Sequence, residues 1–145
     1  MSGITQARDR MATLAKSLFD RGLTHGSTGN ISLRLGDGSL LVTPTGSSLG
    51  FLDPAQISHL SDKGELLSGG KPTKEMPLHE AFYETRTGTG AVVHLHSCHS
   101  VALSLLPDID PDNALPPLTA YGIMLLGKVK LLPFFIPGDP EMGNA

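Results

Sequence analysis

Apolar positions at Ile4, Met11, Leu14, Ala15, Leu18 and Phe19 recur at helical spacing, which predicts one amphipathic helix over residues 4–21 with Gly22 as its stop. The pattern then changes period. After a small, polar stretch, Thr24 to Asn30, residues 31–35 alternate strictly, Gly36-Asp37-Gly38 turns the chain, and residues 39–43 return: a β-hairpin. Residues 44–50 are again small and turn-forming, and Asp53 before Pro54 predicts the N-cap of a short helical turn. A second hairpin is expected over residues 57–61 and 65–68 around Asp62-Lys63-Gly64. A helix of about three turns follows from Pro77, Leu78, Ala81, Phe82 and Tyr83, ending near Gly88. Residues 91–97 read as a buried strand and 97–106 as a helix capped by Ser97 and stopped by Pro107. Residues 108–117 are irregular. Two apolar runs, 121–126 and 129–136, close the chain, the second placed at a sheet edge by Pro133. Hairpin-joined strands flanked by helices predict an α/β/α sandwich around a mostly antiparallel sheet.

The strand Ala91-Val92-Val93-His94-Leu95-His96 carries the most specific chemistry. Side chains on a strand alternate faces, so His94 and His96 share one side and Val93 and Leu95 the other. Two imidazoles so placed offer two adjacent ligands to a divalent ion such as zinc, although two ordinary half-buried histidines would show the same spacing. Three small-residue loops, at Gly29-Asn30, Thr45-Gly46 and Thr73-Lys74, offer free backbone N–H groups and hydroxyls of the kind that surround an anion. The third also opens a helix, whose first turn favours a phosphate. Each loop alone is explained as a turn; their convergence in space would make a phosphate site. Glu75 reads either as a carboxylate capping that helix or as an acid/base group and metal ligand. His79, four residues on, reads as a core or helix-surface histidine rather than a ligand partner of Glu75. His25, His59 and His99 have no spacing argument and are expected to be structural or exposed.

Composition narrows the classes. The 145 residues are 39% apolar, sufficient for a single domain with a real core. A net charge of −3, with eleven scattered Lys and Arg, gives no basic field, so nucleic acid is not an expected partner. No apolar run approaches a membrane span and the N-terminus lacks a signal-peptide core, so the expected location is the cytoplasm. Cys98, the lone cysteine, excludes an internal disulfide and is expected to be a small buried packing residue.

Four ordered motifs complete the picture: Gly29-Asn30-Ile31-Ser32, Thr43-Pro44-Thr45-Gly46, Pro72-Thr73-Lys74-Glu75-Met76-Pro77-Leu78-His79 and Val93-His94-Leu95-His96-Ser97. In order and spacing they resemble the class II aldolase/adducin family of sugar-phosphate lyases and epimerases. Within it, Lys74, the Ser47-Ser48-Leu49-Gly50 continuation and Pro137-Gly138-Asp139 are most similar to the 3-oxo-tetronate 4-phosphate decarboxylases. The resemblance implies a phosphate site at Gly29, Asn30, Thr45, Gly46, Thr73 and Lys74, a catalytic Glu75, and zinc ligands at His94 and His96. It implies a small sugar-acid phosphate as substrate, a homotetramer with sites between subunits, and decarboxylation to a triose phosphate. A class II aldolase or epimerase is the alternative, and a non-catalytic, adducin-like assembly domain a second one. The family's third histidine ligand and its C-terminal elements have no counterpart here, so the resemblance implies a single domain lacking its C-terminal part, whose longer parent is the enzyme.

Overall fold

The structure is a computed structural model and describes residues 3–145. Five strands form one fully antiparallel sheet: β1 (Asn30–Arg34), β2 (Leu40–Val42), β3 (Ser58–Leu60), β4 (Leu66–Ser68) and β5 (Ala91–His94), in the order β4-β3-β2-β1-β5. Both predicted hairpins form. Asp37 anchors the first turn, its Oδ1 accepting from the Ser39 N–H at 3.0 Å and the Ser39 hydroxyl at 2.6 Å.

The alternation of β1 sorts the layers. Ile31 faces helix α1 (Gly3–Asp20), and Met11, Ala15, Ile31, Leu41, Leu49 and Ile57 pack there as the buried core. Fully burying aliphatic side chains of this kind contributes about 1.5–3 kcal/mol each. Asn30, Ser32 and Arg34 face the other way, toward helix α2 (Met76–Thr85), meeting His79 and Tyr83. The helices thus cover opposite faces of the sheet. This is the α/β/α arrangement expected from the sequence, with an apolar interface under α1 and a polar one under α2.

Residues 129–136, expected at a sheet edge, carry no ladder, and the apolar run before them makes a turn of π-helix over Gly122–Leu126. Isolated backbone bonds tie this region, such as Ala114 N–H to Val129 O at 2.7 Å and Leu131 N–H to Pro111 O at 2.8 Å, with an exposed ion pair between Lys130 and Asp112 at 3.5 Å. Apolar content alone does not make a strand without a partner edge, and Pro133 removes a ladder donor. Cys98 is exposed rather than buried, because it opens α3 (Cys98–Ser104), a helix with no buried residue. Ser97 is the residue before that helix, as expected, but its side chain makes no capping bond.

Candidate active site

The register between β1 and β5 places Asn30 directly opposite His94. Strand pairing is that close because Gly29 precedes it: its φ of +79° is left-handed, and a Cβ there would lie 2.9 Å from the His94 carbonyl oxygen. The same face of the sheet receives the start of α2. Glu75 is the residue before that helix, yet its carboxylate makes no capping bond. It turns inward, buried to 7% exposure, and accepts a hydrogen bond from Asn30 Nδ2. Capping is therefore not its role. The helix mouth is shaped instead by the Thr73 hydroxyl, which accepts from the Glu75 N–H at 3.3 Å, and by Pro77 in the first turn.

His94 and His96 lie on one side of the chain, as the alternation predicts, with ring centroids 4.9 Å apart, although β5 itself ends at His94. One ligand atom from each of Glu75, His94 and His96 falls within 4.8 Å of the other two. Nδ1 of His94 approaches Glu75 Oε2 at 3.3 Å, but is buried without a hydrogen-bond partner. Burial lowers the pKa of His94, against the opposing pull of Glu75, which favours the neutral imidazole a metal requires. An unpartnered buried ring nitrogen beside a second imidazole and a carboxylate is a donor set that fits a divalent ion.

The three small-residue loops converge. Thr45 N–H donates to Lys71 O at 3.0 Å, Thr73 N–H to Thr43 O at 3.2 Å, and Pro44 bridges Pro72, so the second and third loops are stitched together. With Gly29 and Asn30 they line a cleft of about 180 Å³ that also contains Glu75 and His96. Gly46 and Lys74 are in its wall, Lys74 exposed. His94 is the one predicted site residue outside the wall; it stands behind, against Glu75. Of the remaining histidines, His25 and His99 are exposed, and His59 is buried against Ser39 at 3.0 Å, outside the ligand cluster.

Ser27, Thr28, Ser47 and Pro137 also line the cleft, although sequence reasoning assigned none of them a place in the site and marked Ser47 and Pro137 only as features of the resemblance. Ser27 and Thr28 were legible only as part of a polar loop. Pro137 comes from the far end of the chain, beside Gly138, which at φ +89° lies so close to Lys74 that a Cβ there would fall 3.1 Å from the Lys74 carbonyl oxygen. No sequence spacing signals that contact.

Residues 9–145 match the family described as Class II Aldolase and Adducin N-terminal domain. The chain belongs to that family. It is 50% identical over 137 residues to the 3-oxo-tetronate 4-phosphate decarboxylase of Escherichia coli K12, covering 94% of this chain and 65% of that protein. The chain thus spans just under two thirds of the length of that decarboxylase. It is 36% identical over 132 residues to an L-fuculose phosphate aldolase of Methanococcus maripaludis, covering 90% of this chain and 69% of the aldolase. The crystal structure of YgbL from Escherichia coli superposes with a TM-score of 0.93 at 45% identity, covering 99% of this chain and 69% of that one. The L-fuculose-1-phosphate aldolase of Thermus thermophilus gives 0.76 at 28% identity, covering 99% and 68%. The antiparallel sheet and its covering helices are thus the class II aldolase fold. The Glu75, His94 and His96 cluster suits a divalent ion.

Proposed function

We propose that this chain carries the active site of a decarboxylase acting on a 3-oxo-tetronate 4-phosphate, releasing CO2 and a triose phosphate such as dihydroxyacetone phosphate. The observation that carries the reading is one cleft shared by three small-residue loops, the buried Glu75 carboxylate and His96, with His94 against Glu75 behind its wall. The 50% identity to a decarboxylase of that name supports this substrate class over others in the family.

In this reading Gly29, Asn30, Thr45, Gly46, Thr73 and Lys74 hold the phosphate. The Thr45 and Thr73 hydroxyls and the Asn30 amide are neutral donors held in place before substrate arrives, the backbone N–H groups of Thr45 and Thr73 being already bonded to Lys71 O and Thr43 O. Lys74, exposed at the rim, is a fixed cation that holds the phosphate or orients the departing carboxylate. Glu75 is the acid/base residue. Loss of CO2 leaves the electron pair of the broken C–C bond as an enediolate, and protonated Glu75 returns a proton to C2. His94 and His96 hold the divalent ion, which is zinc in this proposal, with Glu75 within reach of the same centre. That ion supplies Lewis-acid stabilisation of negative charge developing on the substrate oxygens. We assign the protein to the cytoplasm and to a homotetramer; a lone exposed cysteine and the exposed apolar side chains of Leu132, Phe134 and Ile136 support these assignments.

A second reading is a class II aldolase or epimerase, supported by the 36% identity to the fuculose-phosphate enzyme. Both reactions pass through an enediolate, so the product decides. Incubation with a 3-oxo-tetronate 4-phosphate is expected to release CO2 stoichiometrically with triose phosphate; aldehyde release from a sugar phosphate without CO2 from the oxo acid would favour the aldolase. A protein that binds no divalent ion and turns over neither substrate would favour an assembly role of the adducin type. Lys74→Ser is expected to slow decarboxylation about tenfold or more with metal affinity unchanged. Unaltered turnover would remove Lys74 from the mechanism.

A further inference from the structure

Behind the cleft lies a row of buried polar groups that the proposed mechanism does not use. His79 is fully buried, and its Nε2 sits 2.5 Å from Asn30 Oδ1. On the other side of the ring, Nδ1 lies 2.7 Å from the Ser32 hydroxyl, itself fully buried, and Ser32 lies 2.8 Å from the hydroxyl of Tyr83. The Arg34 guanidinium closes the row, stacked 4.3 Å over the Tyr83 ring. At the near end Asn30 Nδ2 meets Glu75 Oε2.

The directions of these bonds are coupled. Asn30 Nδ2 donates to Glu75 Oε2, which leaves the Asn30 carbonyl oxygen to face His79 Nε2. His79 must then carry its proton on Nε2. Desolvation lowers its pKa to about 4, leaving Nδ1 bare at neutral pH to accept from the Ser32 O–H. Ser32, having spent its proton, accepts from the Tyr83 O–H. Every donor in the row therefore points toward Glu75.

We propose that His79 is a positioning residue: held as the Nε2–H tautomer by Ser32, it fixes the orientation of the Asn30 amide, so that the NH2 group faces Glu75 and the cleft. Asn amides are nearly symmetric in shape and would otherwise present oxygen or nitrogen to the site with little steric preference. An inverted amide would set its oxygen against the Glu75 carboxylate and take an N–H donor away from the anion. The importance of this to substrate binding rests on the phosphate role given to Asn30 above; the bond directions themselves do not.

The test is NMR of the 15N-labelled full chain, reading the His79 ring nitrogens and the Asn30 side-chain NH2, together with the affinity for inorganic phosphate. At neutral pH the wild type is expected to show a protonated Nε2, a bare Nδ1, and one Asn30 NH2 proton shifted downfield by the carboxylate. His79→Phe should lose that downfield shift and bind phosphate about tenfold more weakly, as befits one hydrogen bond to a charged group. His79→Gln, which keeps a donor toward Asn30 and an acceptor toward Ser32, should restore both to within about threefold. Where His79→Phe fails to fold, Ser32→Ala serves: it keeps the imidazole and should let the ring populate both tautomers. A wild-type ring protonated on Nδ1, or a folded His79→Phe chain with unchanged Asn30 resonances, overturns the proposal. If wild-type protein shows no phosphate affinity, the phosphate reading of the cleft fails, while the tautomer and the Asn30 resonances still decide the role of His79.

Discussion

At the scale of single residues, Glu75 and His79 share one helix end and have opposite needs. In the proposed mechanism Glu75 exchanges a proton with substrate, and its replacement by Gln keeps the shape and the bond to Asn30 while removing that exchange. Turnover by Glu75→Gln should fall about a hundredfold to ten-thousandfold, with phosphate affinity within about threefold of wild type. A parallel loss of phosphate affinity would indicate a binding role instead. His79 must stay neutral. Its pKa in the folded chain is about 4, against 6.5 when exposed, with burial the main cause, the neighbouring His94 adding to it and Glu75 opposing it. The unfolded chain therefore binds more protons between these values, so stability is full above about pH 6.5 and falls as the pH drops toward 4, by an amount on the order of 3 kcal/mol at the limit. Urea unfolding at about pH 7.5 and about pH 5 should show a steeper loss for wild type than for His79→Gln. Equal slopes would mean that the ring is charged, or solvated, in the native state.

The secondary elements place these residues, and here the sequence was most legible. The i, i+2 spacing of His94 and His96 gave their common side, and alternation in β1 gave a polar face without revealing what it meets. Local pattern carries this much because strand periodicity is a backbone property. It does not carry the pairing of Asn30 with His94, which depends on non-local register. Nor does it show that Glu75 turns inward instead of capping α2: both conformations satisfy the same sequence, and the choice is made by Asn30 arriving from another strand. Gly29 is where the register is most exposed to mutation. Gly29→Ala adds a Cβ 2.9 Å from the His94 carbonyl and forces an alanine to φ +79°, and should cost about 1–3 kcal/mol of stability. Because the clash falls on the carbonyl of His94 itself, divalent-ion affinity should drop with it. Thermal unfolding and metal titration of the same preparation check both effects, and a variant with wild-type values in each would show that the β1–β5 approach is looser than described.

For the molecule as a whole, the α1 face and the α2 face of the sheet divide labour: an apolar core supports the fold on one side, and a polar interface supports the site on the other. That division was legible as an α/β/α sandwich, whereas the region beyond α3 was not. In that region the apolar run over residues 129–136 looked like an edge strand because strands and unpartnered apolar segments share a composition, and only a neighbouring edge distinguishes them. Leu118, Tyr121, Leu125 and Phe134 are all exposed there, Phe134 to 91%. Surfaces of this kind associate. The protein is expected to sediment as an oligomer rather than as a 15.3 kDa monomer, and replacement of Phe134 by Ser should weaken the association. A monomer at all concentrations would contradict the proposed tetramer.

The central claim, that two imidazoles, a carboxylate and an anion-binding cleft form one metal-dependent active site, is met most directly by diffraction from crystals grown with zinc and soaked in inorganic phosphate. Anomalous scattering at the zinc edge is expected to place the ion against the His94 and His96 nitrogens, with phosphate density among Asn30, Thr45 and Thr73. Zinc elsewhere, or a cleft that takes up phosphate only at another surface, would contradict the account.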